Sequence, residues 1–218
     1  MSENRLKIED NEEYARKLTD IVRVWLDRPR NGIHVSDLLF PRASYFNKIS
    51  PQPLTDREVG YFIAGRGHHE IVESLNGDKR FREKTVTWNG IEGTIDFLDK
   101  VPTEIKTTRS QSTATPDKLS KHYLDQLGYY CAMMDSNIGR LIIFYLGARE
   151  TDPDGKRIMT PKFKVFDINY PDLEGIKKDM LSRKDLLVKA VETKDFTSLP
   201  KCPEWKCTDC KYRDKCIV

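Results

Sequence analysis

Asp96, Glu104 and Lys106 sit in one short stretch, Glu92 to Arg109 (EGTIDFLDKVPTEIKTTR), where residue types and spacing could support chemistry. Ile95 and Phe97 alternate with Thr94, Asp96 and Leu98, and Asp99-Lys100-Val101-Pro102 breaks the pattern, so the stretch reads as two short strands joined by a tight turn. In the second strand, Thr103 to Thr107, Glu104 and Lys106 share one face and Ile105 takes the other. Closing the hairpin would bring Asp96 to Glu104, so that two carboxylates and an ammonium converge. A hard divalent cation takes oxygen ligands. A neighbouring lysine orients a water or steadies a phosphate oxygen. Such a group suits metal-assisted phosphodiester hydrolysis. The same residues also read as a surface hairpin with a cross-strand salt bridge, and the strands alone leave both readings open.

Other polar residues attract attention by position. Gln126 and Tyr130 lie at i and i+4 of an expected helix and project from one face, as a nucleotide-binding pair or as ordinary helix surface. His68 and His69 fall mid-helix. Helical spacing aligns His68 with Ala64, Ile71 and Leu75 as the more buried, and either could face a metal or be a satisfied histidine. Arg42, after Pro41, is a candidate phosphate contact or a solvated arginine. Cys202, Cys207, Cys210 and Cys216 fall within fifteen residues as C-x4-C-x2-C-x5-C, a tetrathiolate metal pattern. Zinc sites usually pair two short knuckles, so this spacing favours iron–sulfur, with zinc as the alternative.

The elements that must position these residues follow from pattern and punctuation. Residues 10 to 27 read as an amphipathic helix on Tyr14, Leu18, Ile21, Val22 and Trp25. Ser36 would cap a short helix that Pro41-Arg42 interrupts or restarts. Thr55-Asp56-Arg57-Glu58 is a capping box opening a helix that Asn76-Gly77 ends, with Val59, Phe62, Ile63, Ile71, Val72 and Leu75 on its apolar side. Residues 81 to 89 read as a strand handing on across Asn89-Gly90, a hairpin signal. Thr115 and Pro116 would open a helix whose Leu124, Leu127, Cys131 and Met134 form a core stripe, with Gln126 and Tyr130 facing away from it and Cys131 a packed thiol. Residues 139 to 148 read as a buried strand and 162 to 170 as a half-exposed one across the DPDGK turn. Residues 172 to 193 read as a long charged helix.

Composition sets the bounds. The 218 residues suffice for one core with a small appendage. Lys and Arg total 37 against 34 Asp and Glu, and the net charge of +3 permits a nucleic-acid partner without demanding one. No apolar run is long enough to span a membrane, and MSENRLKIED is not a signal peptide. The expectation is a cytoplasmic protein in which five Cys serve as ligands or buried thiols.

Taken in order, these motifs resemble those of the RecB-like exonucleases of the PD-(D/E)XK nuclease superfamily, and most of all the CRISPR-associated exonuclease family, the fourth CRISPR-associated protein. The likeness runs from about Val35 to the C-terminus. Gly65-x3-His69-Glu70 resembles the histidine motif, which selects His69 over His68. Gly93-Thr94-Ile95-Asp96 resembles G-x-x-D, Glu104-Ile105-Lys106 resembles E-x-K, Gln126-x3-Tyr130 resembles Q-x3-Y, and Cys207-x2-Cys210-x5-Cys216 resembles the C-terminal cysteine triplet. One departure stands out. The family's first cluster cysteine precedes Pro-Arg, and here that position is Phe40, so Cys202 becomes the expected fourth ligand, with Cys131 a distant second, and the tie between residue 40 and the tail is expected to be lost.

The resemblance implies an α/β fold with a restriction-endonuclease-like PD-(D/E)XK core: a mixed central sheet flanked by helices, and a C-terminal metal-cluster region. The expected division is an N-terminal helical region over 1–54, a nuclease core over 55–195 and an iron–sulfur tail over 196–218. The implied activity is Mg2+- or Mn2+-dependent exonuclease action, mainly on single-stranded DNA or DNA ends, in CRISPR spacer acquisition with CRISPR adaptation proteins as partners, or in repair or recombination. His69, Asp96, Glu104 and the Ile105 carbonyl would hold the metal. Lys106 would position water, Gln126 and Tyr130 would orient the strand, and Cys202, Cys207, Cys210 and Cys216 would hold a four-iron cluster in preference to a two-iron one. The alternative is a non-catalytic DNA-binding or adaptor subunit with a metal-bound tail.

Overall fold

Two adjacent residues of left-handed backbone, Asn89 at φ 47° and Gly90 at φ 71°, close the first hairpin. That pair matches the twist of the flanking strands, and Trp88 accordingly pairs with Ile91. The structure is a computed structural model describing residues 12–26, 31–75, 82–98, 100–208 and 210–216; the side chains of 69, 71–75 and 82 lie outside the described set. Strands β2 (Arg82–Trp88) and β3 (Ile91–Leu98) pair antiparallel along their length. The two-residue strand β1 (Ile33–His34) joins β3 in parallel at Ile91 and Glu92.

The expected second hairpin forms only in part. Strand β4 (Pro102–Thr108) pairs with β3 at Phe97–Thr103 and Leu98–Pro102. Beyond those two pairs β4 runs parallel to β5 (Ile138–Thr151), with Glu104 opposite Leu141 and Lys106 opposite Ile143. Strand β6 (Arg157–Asn169) returns antiparallel to β5 across a turn in which Asp152 Oδ1 accepts from the Lys156 amide at 2.7 Å. The result is a mixed six-stranded sheet, in the order β1-β3-β4-β5-β6 with β2 on β3.

Helix α1 (Glu12–Leu26) forms where expected but buries none of its residues, and Ile21 and Trp25 remain 57% and 50% exposed. It is held instead through Arg23, whose Nε donates to the Leu54 carbonyl at 2.8 Å and whose guanidinium pairs with Asp56. Helix α2 (Val35–Leu39) is capped by His34 rather than Ser36, and α3 (Pro41–Ile49) restarts at Pro41. Helix α4 (Asp56–Leu75) carries the expected capping box: Glu58 accepts from the Thr55 amide at 2.8 Å and donates its own amide to Thr55 Oγ1 at 3.2 Å. Of its expected apolar side Val59 is buried, whereas Phe62 and Ile63 are half exposed. The expected helix from Thr115 divides into a 3-10 turn, Pro116–Lys118, and α5 (Lys121–Met133) capped by Ser120. Helix α6 (Leu173–Thr193) opens on Asp172, whose carboxylate accepts from the Gly175 amide.

Helices α5 and α2 pack on one face of the sheet, and α6 and α3 pack against them. Close approach there needs Gly139, where a Cβ would lie 2.6 Å from Cys131 Sγ and 2.8 Å from Leu127 Cγ. Side chains alternate along β5, so Phe144 projects opposite to Ile143. There it meets His68 of α4, ring centroids 5.3 Å apart, which places α4 on the other face.

The tail carries two short helices, α7 (Glu204–Cys207) and α8 (Arg213–Cys216). It is tied to α3 after all, through aromatic packing. Tyr212 is 2% exposed and stacks on Phe46 with centroids 5.5 Å apart, and its hydroxyl donates to Asn47 Oδ1 at 2.6 Å and accepts from the Gln52 amide at 3.2 Å. Arg42 completes the tie. It is 7% exposed, donates Nη2 to the Leu199 carbonyl at 2.5 Å and lies 5.4 Å from the Phe196 ring centroid. The solvated reading of Arg42 gives way to this buried placement. No helix among the described residues is long and apolar enough to cross a membrane.

Truncating Tyr212 to Ala should therefore cost about 3–5 kcal/mol, the range for a buried aromatic, and expose residues 197–201 to protease. Tyr212→Phe, which keeps the ring, should lose far less. Urea unfolding and limited proteolysis of the pair check this.

Candidate active site

The departure of β4 from β3 leaves a fork, and Asp96 sits in it. Its Oδ2 accepts the Ile105 amide at 2.8 Å, so a carboxylate stands where a neighbouring strand's carbonyl would otherwise be. Glu104, one residue earlier on β4, is 2% exposed. Its Oε1 pairs with Lys106 Nζ. Lys106 also donates to Gln126 Oε1 at 2.9 Å, and Gln126 Nε2 donates to the Tyr130 hydroxyl at 3.1 Å. The order of donors is forced. Lysine offers only N–H, so the amide oxygen of Gln126 must face it and the amide nitrogen must face Tyr130.

Burial works against the Lys106 ammonium, but the Glu104 carboxylate, its hydrogen bond and then Asp96 outweigh that cost and hold the pKa above the ordinary lysine value. The Tyr123 ring lies beside the ammonium, 5.5 Å from centroid to Nζ. Two carboxylates and one ammonium leave the centre with one net negative charge, which suits a hard cation bound through oxygen. Among the described residues no three His, Cys, Asp or Glu side chains converge as a ready ligand set. His69 lies on α4, and its side chain is outside the described residues. His68 is turned to its own helix, with Nδ1 2.5 Å from the Ala64 carbonyl.

Helix α5 delivers Gln126 and Tyr130 to this centre from the face away from Leu127 and Cys131, as expected, but that face is buried as well. Tyr130 is 4% exposed and belongs to the core with Ile91, Ile95 and Met180, while Met134 of the expected core stripe is 38% exposed. Tyr130 is thus both core and site. Gly93 makes room for it: a Cβ there would stand 2.7 Å from Tyr130 Cε1 and 3.0 Å from Val35 Cγ2. The legible signal was a glycine inside a strand, which marks close approach. Cys131 is buried as expected, and burial pushes its thiol up to about 12.

Tyr123 and His122 were not singled out in the sequence, although His122, Gln126 and Tyr130 recur at i, i+4 and i+8 on one helical stripe. In the tail, the four cysteines are free and half-buried. Burial raises the Cys202 thiol, and the charges of Cys207, Cys210 and Cys216 add to the rise, so the four share one neighbourhood. Four soft sulfur donors are the donor set of a thiolate-bound metal, but among the described residues they do not converge as a ready ligand set.

Burial, followed by the Lys106 charge, holds the His122 imidazole down to about 4 against its usual 6.5. The unfolded chain takes up that proton near 6.5 and the folded chain only near 4, so stability is complete above 6.5 and falls as pH drops towards 4. Thermal melts from pH 7 to 4 should show that decline, and His122→Gln should flatten it. An NMR titration of the ring should read the low pKa directly.

A comparison with curated proteins finds no match. Among solved structures the fold is similar to the crystal structure of SSO0001, at 22% identity and TM-score 0.58 over 92% of this chain and 93% of that one. It is similar to a phage related exonuclease from Haemophilus somnus 129PT at 11% identity and TM-score 0.50, over 73% and 82%. An alkaline exonuclease from Laribacter hongkongensis aligns at 12% identity and TM-score 0.47, over 84% and 95%. The sequence profile of the PD-(D/E)XK nuclease superfamily matches residues 8–217, nearly the full length, and the chain belongs to that superfamily.

Proposed function

We propose that the protein is a Mg2+- or Mn2+-dependent exodeoxyribonuclease acting mainly on single-stranded DNA, of the RecB-like branch and most like the CRISPR-associated exonucleases. One observation carries the reading: Asp96, Glu104 and Lys106 meet at the strand fork, with Gln126 and Tyr130 bonded into the same chain of contacts. Superfamily members generally use a divalent metal. Asp96, Glu104, the Ile105 carbonyl and His69 would hold it, and when bound it supplies Lewis-acid polarisation of the phosphate and a more acidic water.

The chain's own residues do the remaining work. Lys106 spends two of its three N–H donors on Glu104 and Gln126. The third can steady a non-bridging phosphate oxygen or hold the attacking water, and the ammonium offsets charge that builds on the phosphate. Gln126, fixed by Lys106 and Tyr130, orients the strand. A bound cation also reverses the centre's net negative charge, which otherwise repels a phosphodiester.

A binding-only role, as DNA-holding module or adaptor, draws on the Lys106 contact that already occupies a Glu104 oxygen. End-labelled single-stranded DNA with Mn2+ separates the readings. Digestion by the wild type and not by Glu104→Gln supports catalysis, and retention without cleavage by both supports the module. CRISPR adaptation proteins are the partners the motif set suggests for either role. In the tail, Cys202, Cys207, Cys210 and Cys216 would hold an iron–sulfur cluster, with zinc as the alternative, serving as a cross-link within the last twenty or so residues.

Lys106→Ala should abolish cleavage. Removing the ammonium leaves a buried carboxylate without its counter-ion, a change that costs about 3–5 kcal/mol. Metal-free Lys106→Ala should therefore melt well below wild type, and Mn2+ should raise its melting temperature more than the wild type's. Asp96→Asn, which can still accept the Ile105 amide, should fold but neither cleave nor gain stability from Mn2+. For the tail, protein purified without oxygen should be brown, with iron and sulfide near equal, and Cys202→Ser should bleach it while Cys131→Ser should not.

A further inference from the structure

Trp205 is 54% exposed, yet its ring is not loose. It lies 4.9 Å from the His122 ring at an interplanar angle of 35°, and 5.7 Å from Phe40 in an edge-on contact. His122 and Phe40 are themselves 6.0 Å apart, so two rings from separate elements brace the exposed indole. His122 is further held by Ser120 Oγ, 2.6 Å from Nδ1. A tryptophan meant only for packing would be covered; this one is braced from beneath with half its surface open.

The cluster is also connected to the candidate active site. His122 meets Tyr123 edge-on at 4.3 Å, and Tyr123 flanks the Lys106 ammonium. A run of aromatic rings thus leads from the lysine expected to hold the scissile phosphate out to the surface at Trp205. The charge is suitable. Lys206 Nζ lies 5.4 Å from the Phe40 ring centroid, and residues 196–218 carry five basic side chains against three acidic ones. The depressed pKa keeps His122 neutral, which preserves an uncharged π surface at pH 7.

We infer that Trp205, braced by Phe40 and His122, is a stacking platform for an unpaired base of the DNA strand whose phosphate lies at Lys106. The inference rests on the nuclease reading for the strand's placement. Every unpaired base offers a π face to an open indole, so such a platform accepts any sequence. A base within a duplex has both faces covered by its neighbours, so the platform favours single strands and frayed ends. Phe40 thereby gains a role at the position where the resembling family places a cysteine.

The test is fluorescence anisotropy with the full-length chain carrying Glu104→Gln in every arm, without added divalent metal, on a short labelled oligothymidine and on an abasic strand of the same length. Adding Trp205→Ala should weaken oligothymidine binding about ten-fold and leave abasic binding unchanged. Trp205→Phe should keep most of the affinity. His122→Ala should share the loss and add little to Trp205→Ala, because the two act through one platform. Equal affinity of the Trp205→Ala protein for oligothymidine, or an equal loss on both strands, would overturn the inference. The nuclease reading fails separately, if Glu104→Gln still digests the strand in Mn2+.

Discussion

A strand that leaves its neighbour exposes an amide that must be satisfied, and at Ile105 that amide is answered by a carboxylate. Leaving a buried N–H unmade costs about 1–3 kcal/mol, so the fork between β3 and β4 is tolerable only with Asp96 in it. This bond fixes one acidic side chain within reach of the next, Glu104, whose own burial demands a counter-ion. Lys106 provides it from the same strand face. Each member of the centre is thus held by a requirement of the fold. A fully zipped hairpin would satisfy the Ile105 amide through its ladder instead.

The same economy appears where the tail meets the body. A metal–thiolate bond between residue 40 and the C-terminal cysteines would be directional and sensitive to redox state. Phe40 cannot make it, and the tie is instead the stack of Tyr212 on Phe46 and the buried guanidinium of Arg42 on the Leu199 carbonyl. Aromatic packing of this kind holds without a metal. The docking of the tail onto α3 therefore does not depend on a metal.

Local signals were readable in proportion to how locally their physics acts. Asn89-Gly90 announced a hairpin because only certain residues accept two successive positive φ angles. Thr55 and Glu58 announced a helix start because their hydrogen bonds close within four residues. The mixed sheet of the resembling superfamily was legible through its motifs. What was not legible depended on distant partners. The apolar stripe of α1 suggested a buried face, but none of its residues is buried, and Arg23 ties the helix to Leu54 and Asp56. Arg42 looked like a surface cation because nothing nearby in sequence reveals the Leu199 carbonyl, 157 residues away. The fork itself was hidden because a turn predicts that two strands meet and says nothing of how far they stay together.

Tyr130 shows why the face of α5 was misread. Helical spacing sorted Gln126 and Tyr130 away from the Leu127–Cys131 stripe, and that separation is real. Yet α5 has two buried stripes, because β3 and β5 both approach it: Gly139 admits Leu127 and Cys131, and Gly93 admits Tyr130. The phenol ring contributes to the core while its hydroxyl receives the Gln126 amide, so the hydrogen-bond chain that ends at Lys106 begins in close packing. Packing density leaves a buried ring little freedom to shift. Gly93, three residues before Asp96 and without polar atoms in its side chain, therefore governs the position of Lys106 as surely as the residues that touch it.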